Sequence, residues 1–252
     1  MLKVTFVHHS CFVVETDHHI LVFDYFPKEA VKECNFTGEM PKLPSDKPIY
    51  VFASHKHRDH FSLEVLRWAS EYENITYIFS KDIRLGRNYL LRNGLELSIK
   101  SRIKFVTAIN SYEVGDIKVE TLKSTDEGVA FLVEVDGLRI YHAGDLHWWN
   151  WGERGEIYCE AIGSAYKREI RRIGERHVDL AFVVLDPRMQ EDGYALGMEH
   201  FLNHVSCDLV FPMHLWQQFD LIQTFKRRPQ IANFKDKIVD IDRENLIFQI
   251  EE

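Results

Sequence analysis

The chain has 252 residues, of which 45% are hydrophobic and 28% are charged, and its formal net charge is −8. A chain of this length and apolar content can bury a substantial core. The acidic balance and the lack of a basic stripe argue against a nucleic-acid partner, because binding to a phosphate backbone depends on clustered Lys and Arg.

Composition and patterning predict a single cytoplasmic domain spanning residues 1–252. The opening reaches the polar residues 8–10 too soon for a signal peptide. No apolar stretch approaches the ~20 residues that cross a bilayer, so no membrane association is expected. No Gly/Ser linker or repeat divides the chain. The cysteines are widely spaced, which favours free thiols in a reducing compartment, and both disulfides and a homo-oligomer are left open.

Apolar periodicity predicts a mixed α/β domain. The predicted elements are, in chain order, strands 3–8, 12–16, 20–23 and 49–53, helix 62–69, strands 75–79, 104–107, 118–122, 129–135 and 138–141, helix 156–172, strand 180–185, helices 196–205 and 215–226, and strands 237–241 and 246–250. Residues 27–48 read as a surface loop, and Ser62 reads as a helix N-cap. The Asp136-Gly137 pair predicts a hairpin, and the last two strands are predicted to pair with each other.

Several predicted strands end in residue types that bind metal ions. The side chains at these junctions are Asp24, then His55, His57, Asp59 and His60, then His142 and Asp145, and finally His214. A charged, solvated turn is the ordinary interpretation of the His cluster taken alone. Because a sheet holds the ends of its strands rigidly, the repeated pattern instead favours one shared centre.

At these residues the chain resembles the metallo-β-lactamase superfamily. The segment over residues 55–60 matches its HxHxDH motif in full, and Asp24, Asp145 and His214 follow the expected order. The opening over residues 7–12 also looks like the subgroup that contains L-ascorbate-6-phosphate lactonases. The resemblance implies an αββα sandwich of the α+β class, in which two mixed β-sheets pack face to face with helices outside.

The resemblance also implies two divalent metal ions, with zinc the first choice and manganese or iron as alternatives. The implied ligands of the first ion are His55, His57 and a third His, those of the second are Asp59, His60 and His214, and Asp145 bridges the two. Asp24, His142 and His9 would orient ligands from behind.

The third His of the first metal site is missing, because residues 61–141 contain no His. Asp126 or Glu127 could supply an oxygen ligand, His9 or His147 could reach in from elsewhere, or the first site could be weak or empty. We favour Asp126, because a carboxylate completes the site without a rearranged chain. An oxygen ligand there would help manganese or iron to compete with zinc.

Aromatic and basic residues near the predicted centre are candidates for substrate binding. Trp148 and Trp149 are neighbours, so one of them is expected to border the cleft, and Trp148 is the candidate, with core packing as the alternative. Arg188 could hold a carboxylate or phosphate, and an ion pair with Asp186 is an equally weighted alternative. Tyr194 is a further candidate at the same rim.

These assignments predict a metal-dependent hydrolase that uses a metal-bound hydroxide on a small, possibly anionic ester, lactone or phosphoester. A bound divalent ion lowers the pKa of water from about 15.7 to about 7, and Asp59 is the predicted catalytic carboxylate that orients the nucleophile. The alternative is a metal-binding or ligand-sensing protein with little turnover, because the first site lacks its third His. Redox chemistry at a di-iron site is disfavoured, since no Gly-rich segment for a flavin or nicotinamide carrier is evident.

Overall fold

The computed structural model describes residues 2–189 and 192–250. The chain forms two compact units, one made of Met1–Thr107 with Glu244–Glu252 and the other of Ala108–Arg243. Each unit contains one mixed β-sheet together with helices, so the predicted fold class is confirmed. The interpretation of residues 1–252 as a single domain stays a prediction.

The sheet of the first unit has the strand order β13-β1-β2-β3-β4-β5-β6. These strands are β1 (Leu2–His8), β2 (Cys11–Glu15), β3 (Ile20–Phe23), β4 (Ile49–Ala53), β5 (Ile75–Ser80), β6 (Ile103–Val106) and β13 (Leu246–Ile250). Neighbours from β13 to β3 are antiparallel, and neighbours from β3 to β6 are parallel. The helices of this unit are α1 (Arg87–Arg92) and the 3₁₀ helices Leu63–Ser70 and Leu97–Arg102.

The parallel strands β3 and β4 carry the core of the first unit. Every residue of both strands is buried, as expected for parallel strands that are covered on both faces. Their register pairs Phe23 with Phe52, so the carboxyl ends of the two strands lie side by side. The residues that follow these ends are therefore held next to each other.

The sheet of the second unit has the strand order β12-β11-β10-β9-β8-β7. These strands are β7 (Asn110–Val114), β8 (Ile117–Lys123), β9 (Val129–Val135), β10 (Leu138–His142), β11 (Val178–Val184) and β12 (Cys207–Met213). Neighbours among β10, β11 and β12 are parallel, and the others are antiparallel. The helices of this unit are α2 (Glu156–Ile170), α3 (Gly193–His204), α4 (Asp220–Lys226) and the 3₁₀ helices Gly152–Arg154 and Pro229–Lys237.

Local turn and cap chemistry follows the sequence. Asp136 and Gly137 both have positive φ, 48° and 79°, which is the geometry of a type I′ turn, and they join β9 to β10 as predicted. The Ser62 side chain accepts a hydrogen bond from the Glu64 N–H and caps a 3₁₀ helix. Residues 27–48, which all belong to the described part of the chain, contain neither helix nor strand, as predicted.

The prediction that two C-terminal strands, 237–241 and 246–250, pair with each other was wrong. Residues 237–241 form no strand in the described structure, and only Ile238 makes an isolated parallel bridge, to Val210. The strand β13 pairs instead with β1 at the edge of the other sheet. Alternation alone cannot choose between a neighbouring and a distant partner strand, because either one satisfies the same pattern.

Two further differences concern element boundaries. The strand β7 was not predicted, because its residues are mostly exposed and polar. The helix predicted over 215–226 begins only at Asp220, since Trp216 and Gln217 adopt positive φ values of 49° and 61° that no helix accommodates. Among the described residues, no helix has both the length and the apolar character that spanning a bilayer requires.

Candidate metal centre

In the first unit, Asp24 directly follows β3 and organises the segment after β4. Its Oδ1 accepts a hydrogen bond from the Ser54 N–H at 2.7 Å, and its Oδ2 accepts one from the Ser54 hydroxyl at 2.6 Å. The same Oδ2 lies 2.8 Å from His60 Nδ1. Because an ionised carboxylate can only accept, Nδ1 carries the proton and His60 Nε2 keeps its lone pair for a metal ion.

His55 and His57 lie close together in the same segment. His55 Nε2 and His57 Nδ1 are 2.8 Å apart, and the Ser54 hydroxyl lies 2.9 Å from His55 Nδ1. The rings of His55 and His60 are 4.2 Å apart between centroids. The motif therefore gathers its three imidazoles, as the resemblance implies.

His9 lies at ligand distance within this unit. Nitrogen or oxygen atoms of His9, Asp59 and His60 are all within 4.8 Å of one another. His9 Nε2 is 3.5 Å from Asp59 Oδ2, and His60 Nε2 is 3.8 Å from the same oxygen. The sequence left His9 two roles, one that orients ligands from behind and one that replaces the missing His, and these distances place it beside Asp59 and His60.

In the second unit, the parallel strands β10, β11 and β12 end next to one another, and an acidic or imidazole side chain follows each. His214 Nε2 is 3.4 Å from Asp145 Oδ1, and His214 Nδ1 is 2.8 Å from Asp186 Oδ2. All three side chains are buried. This arrangement repeats the Asp24–His60 pair, with Asp186 as the carboxylate that fixes the imidazole.

Asp186 is a site residue that the sequence analysis missed, since it appeared there only as a partner for Arg188. Burial alone would raise its pKa, but hydrogen bonds and charges from His214 and Arg188 hold that pKa below its ordinary value. The carboxylate is therefore ionised at neutral pH. Its position after β11, next to the strand that ends at His214, was the signal that could have identified it.

Asp126, which the sequence favours as the missing ligand, lies close to Asp145 in the second unit. Carboxylate oxygens of Asp126 and Asp145 lie within 4.8 Å of each other, and the Asp126 N–H donates to the Ser124 hydroxyl at 3.1 Å. Within residues 2–189 and 192–250, neither Glu127 nor His147 belongs to such a ligand group. His147 is buried against Trp149 and Gly197, and burial lowers its pKa to about 3.

His142 supports the turn that leads to Asp145. It is fully buried at the end of β10, and its Nδ1 accepts a hydrogen bond from the Gly144 N–H at 3.2 Å. Gly144 has a φ of 49°, so the turn needs a residue that tolerates the left-handed region. These contacts are those expected of a residue that orients a ligand from behind.

Of the adjacent indoles Trp148 and Trp149, Trp149 lies against His214. Trp149 Nε1 donates to the Asp145 carbonyl at 3.0 Å, and its ring centroid is 5.8 Å from that of His214. Trp148 packs on α2, where a Cβ at Gly163 would lie 2.5 Å from its ring. Adjacent residues point to opposite sides, and the sequence could not decide which side carries the site.

Arg188 and Tyr194 both belong to ion-pair clusters. The Arg188 Nε is 3.0 Å from Asp186 Oδ1 and its Nη2 is 2.6 Å from Oδ2, which is the pairing that the sequence left open. Tyr194 lies in the first turn of α3 with the Arg228 guanidinium 5.7 Å from its ring. Their roles in substrate binding stay predictions.

The donor set suits a divalent metal ion. Imidazole nitrogens and carboxylate oxygens are the usual ligands of zinc, manganese and iron. Each unit also supplies a buried carboxylate that fixes an imidazole, which is the common support of metal-bound His. Each unit thus carries donors and supporting groups that fit a metal ion.

Comparisons with known proteins identify the family. A model described as a beta-lactamase superfamily domain matches residues 3–150. A protein named "UPF0173 metal-dependent hydrolase" from Desulforamulus reducens is 31% identical over 163 residues, which cover 57% of this chain and 62% of that protein.

Solved structures share the fold. A crystal structure of a candidate metal-dependent hydrolase from Parabacteroides distasonis has a TM-score of 0.61 at 15% identity, over 96% of this chain and 93% of that chain. The diiron β-hydroxylase CmlA from Streptomyces venezuelae has a TM-score of 0.59 at 12% identity, over 99% of this chain and 54% of that chain. Because one fold hosts different chemistries, these two likenesses indicate architecture alone. With the family model matching more than half of its length, the chain belongs to the beta-lactamase superfamily and has the metallo-β-lactamase fold.

Proposed function

We propose that the protein is a metal-dependent hydrolase that acts on a small ester, lactone or phosphoester and uses two divalent ions, with zinc the first choice. One observation carries the proposal. Each unit holds an imidazole by a buried carboxylate at 2.8 Å, Asp24 on His60 and Asp186 on His214, and each imidazole turns its Nε2 toward a further carboxylate. Such a pair is the usual preparation of a metal ligand.

The proposed ligands follow the superfamily motif. We assign His55, His57 and Asp126 to the first ion, His60, Asp59 and His214 to the second, and Asp145 to both. Asp145 suits a shared role because it neighbours Asp126 on one side and His214 at 3.4 Å on the other.

Bound divalent ions would supply hydroxide at neutral pH and polarise the scissile carbonyl or phosphoryl group. The Asp59 carboxylate would hold and orient the nucleophile, and its Oδ2, which His9 Nε2 and His60 Nε2 approach at 3.5 and 3.8 Å, is the oxygen beside the candidate imidazole ligands. Asp24 and Asp186 would keep the two imidazoles in one tautomer through the reaction. A Ser or Cys nucleophile is not required.

The alternative of a binding protein with little turnover arose from the missing third His. The proximity of Asp126 to Asp145 favours the hydrolase, because it supplies an oxygen donor where that imidazole is absent. Such a donor is harder than the imidazole it replaces, so manganese or iron would compete better with zinc at the first site than if a third His completed it.

Elemental analysis of protein purified without added metal tests the proposal. We expect about two ions per chain, and hydrolysis of bis(4-nitrophenyl) phosphate or of a γ-lactone. His57→Ala and Asp145→Ala should each lose metal and activity while the far-ultraviolet circular dichroism stays unchanged. His18→Ala, at an exposed position, is the control that should keep both. Wild-type protein with one ion or none, and no turnover of either substrate class, would contradict the proposal.

A further inference from the structure

A row of planar side chains lies beside His214 in the second unit. The rings of Trp149 and Trp151 are stacked, with centroids 5.8 Å apart and planes inclined by 4°. The Arg188 guanidinium lies 5.7 Å from the Trp151 ring and 4.5 Å from the Trp216 ring. The guanidinium thus contacts an indole from each of two chain segments.

Buried hydrogen bonds fix the guanidinium in this place. Asp186, which is fully buried, accepts two parallel hydrogen bonds from Arg188, at 3.0 Å from Nε and 2.6 Å from Nη2. It also accepts a longer one, at 3.4 Å, from Trp216 Nε1. A forked pair of this kind sets the plane of the guanidinium as well as its position.

The backbone after β12 is strained in a way that sets Trp216 beside His214. His214, Trp216 and Gln217 have φ values of 65°, 49° and 61°, a region that residues other than Gly rarely occupy. The result is a T-shaped contact between the His214 and Trp216 rings, with centroids 5.6 Å apart. Strain of this kind persists where the surrounding structure requires it, and it often marks a functional position.

The row differs from an ordinary core cluster in its exposure. Trp149 is buried, whereas Trp151 and Trp216 are only half-buried, and the Arg188 side chain is 45% exposed. The balancing carboxylate of Asp186 has no exposed surface, so a ligand that arrives from solvent meets the partly exposed guanidinium and indoles before it could meet that carboxylate. Indole faces bind planar rings, and a guanidinium binds carboxylates.

We propose that Trp151, Arg188 and Trp216 form a subsite for an aromatic carboxylate, which is the recognised part of the substrate. The inference rests on the proposed hydrolase, since the subsite adjoins His214, one of its assigned ligands. The aromatic ring would stack on the indoles, and the carboxylate would receive N–H donors of Arg188. The substrate class is then an ester, lactone or phosphoester that also carries a free carboxylate on an aromatic ring.

Binding measurements on the protein as purified test the subsite without any turnover. Benzoate is compared with cyclohexanecarboxylate, which has the same charge without a flat ring, and with benzamide, which has the flat ring without the charge. Calorimetry gives the affinities. The indole N–H signals of the five tryptophans, assigned by substitution, show which rings respond.

We expect benzoate to bind about tenfold more tightly than either analogue, which is the scale of one aromatic contact. Trp216→Leu should abolish this preference, and so should Arg188→Lys, which keeps a charge beside Asp186 but cannot stack as a plane. The control Trp68→Leu, in the first unit, should retain it.

Equal affinity for the three compounds, no saturable binding, or a preference that survives both Trp216→Leu and Arg188→Lys would overturn the subsite. A preference for benzoate in a protein that lacks metal and turnover would instead support the subsite and contradict the hydrolase. Direct binding of a carboxylate to a metal ion would raise the affinities of benzoate and cyclohexanecarboxylate equally. It therefore does not change the ratio of these two affinities.

Discussion

At the scale of single residues, a buried carboxylate and an imidazole form the same contact twice, at different strand ends. Asp24 follows β3 and Asp186 follows β11, and each lies 2.8 Å from a His Nδ1. Leaving such a carboxylate buried without a partner would be unfavourable, so each pair is also a structural unit. Asp186 has the further task of fixing Arg188.

Asp186→Asn should weaken metal binding by about 10- to 100-fold, the usual loss when a residue behind a metal ligand is changed. The amide can still accept a hydrogen bond from His214, but it lacks the negative charge that increases the basicity of the imidazole. Competition with a coloured chelator measures the affinity. Asp179→Asn, at the other end of β11, is the matched control. An Asp186→Asn protein with wild-type affinity would remove Asp186 from the site.

Asp126→Ala should remove about one equivalent of metal per chain, because the first ion would lose its oxygen donor. Glu127→Ala provides the comparison, since it deletes the neighbouring carboxylate, which lies in no ligand group of the described residues. Elemental analysis of the two variant proteins shows which of the two carboxylates is needed to bind the first ion. Full metal content in the Asp126→Ala protein would show that Asp126 is not the missing ligand of the first ion.

At the scale of elements, parallel strands explain why the candidate ligands lie where they do. The carboxyl ends of neighbouring parallel strands meet at one edge of a sheet, so β3 and β4 bring Asp24 to the His segment. In the second unit, β10, β11 and β12 do the same for Asp145, Asp186 and His214. Sites at such edges are common in sheets of this kind.

Helix α2 shows how packing overrides helix propensity. Gly163 lies inside α2, where Ala would ordinarily be favoured by about 1 kcal/mol. A Cβ there would lie 2.5 Å from the Trp148 ring, however. We expect Gly163→Ala to destabilise the protein by about 1–3 kcal/mol, as other overpacked substitutions do.

Thermal or urea unfolding measures the effect of this substitution. The control Gly152→Ala adds the same methyl group where no atom lies within 4 Å, and it should change stability little. If the Gly163→Ala protein proved as stable as the wild type, Trp148 would have room to move, and the inference that it packs tightly on α2 would be wrong.

At the scale of the whole molecule, the proposed metal ions are expected to contribute to stability. A ligand that binds only the folded state at 100 times its dissociation constant stabilises that state by about 2.7 kcal/mol. Removal of metal with a chelator should therefore lower the Tm, and added zinc should restore it. Urea unfolding at two metal concentrations gives the same comparison in free energy.

The Asp145→Ala protein is the internal control for this experiment, since its Tm should respond less to the chelator. Elemental analysis verifies that the chelator has removed the metal from the wild-type protein. If the Tm of that metal-free protein is unchanged, the metal centre does not contribute to the stability of the fold.

The sequence by itself determined the strand ends and the residue types at them. The His motif, Asp24, Asp145 and His214 were readable because each follows an apolar run, and local periodicity depends only on neighbouring residues. The hairpin at Asp136-Gly137 was equally local, since its two left-handed residues need no distant partner.

Only the tertiary structure decided what depends on residues far apart in the chain. It paired β13 with β1, placed Trp149 rather than Trp148 against His214, and identified Asp186 as the carboxylate behind that imidazole. In each case the local pattern allows more than one outcome. The packing of distant segments selects one of them, because only there do the buried polar groups find their partners.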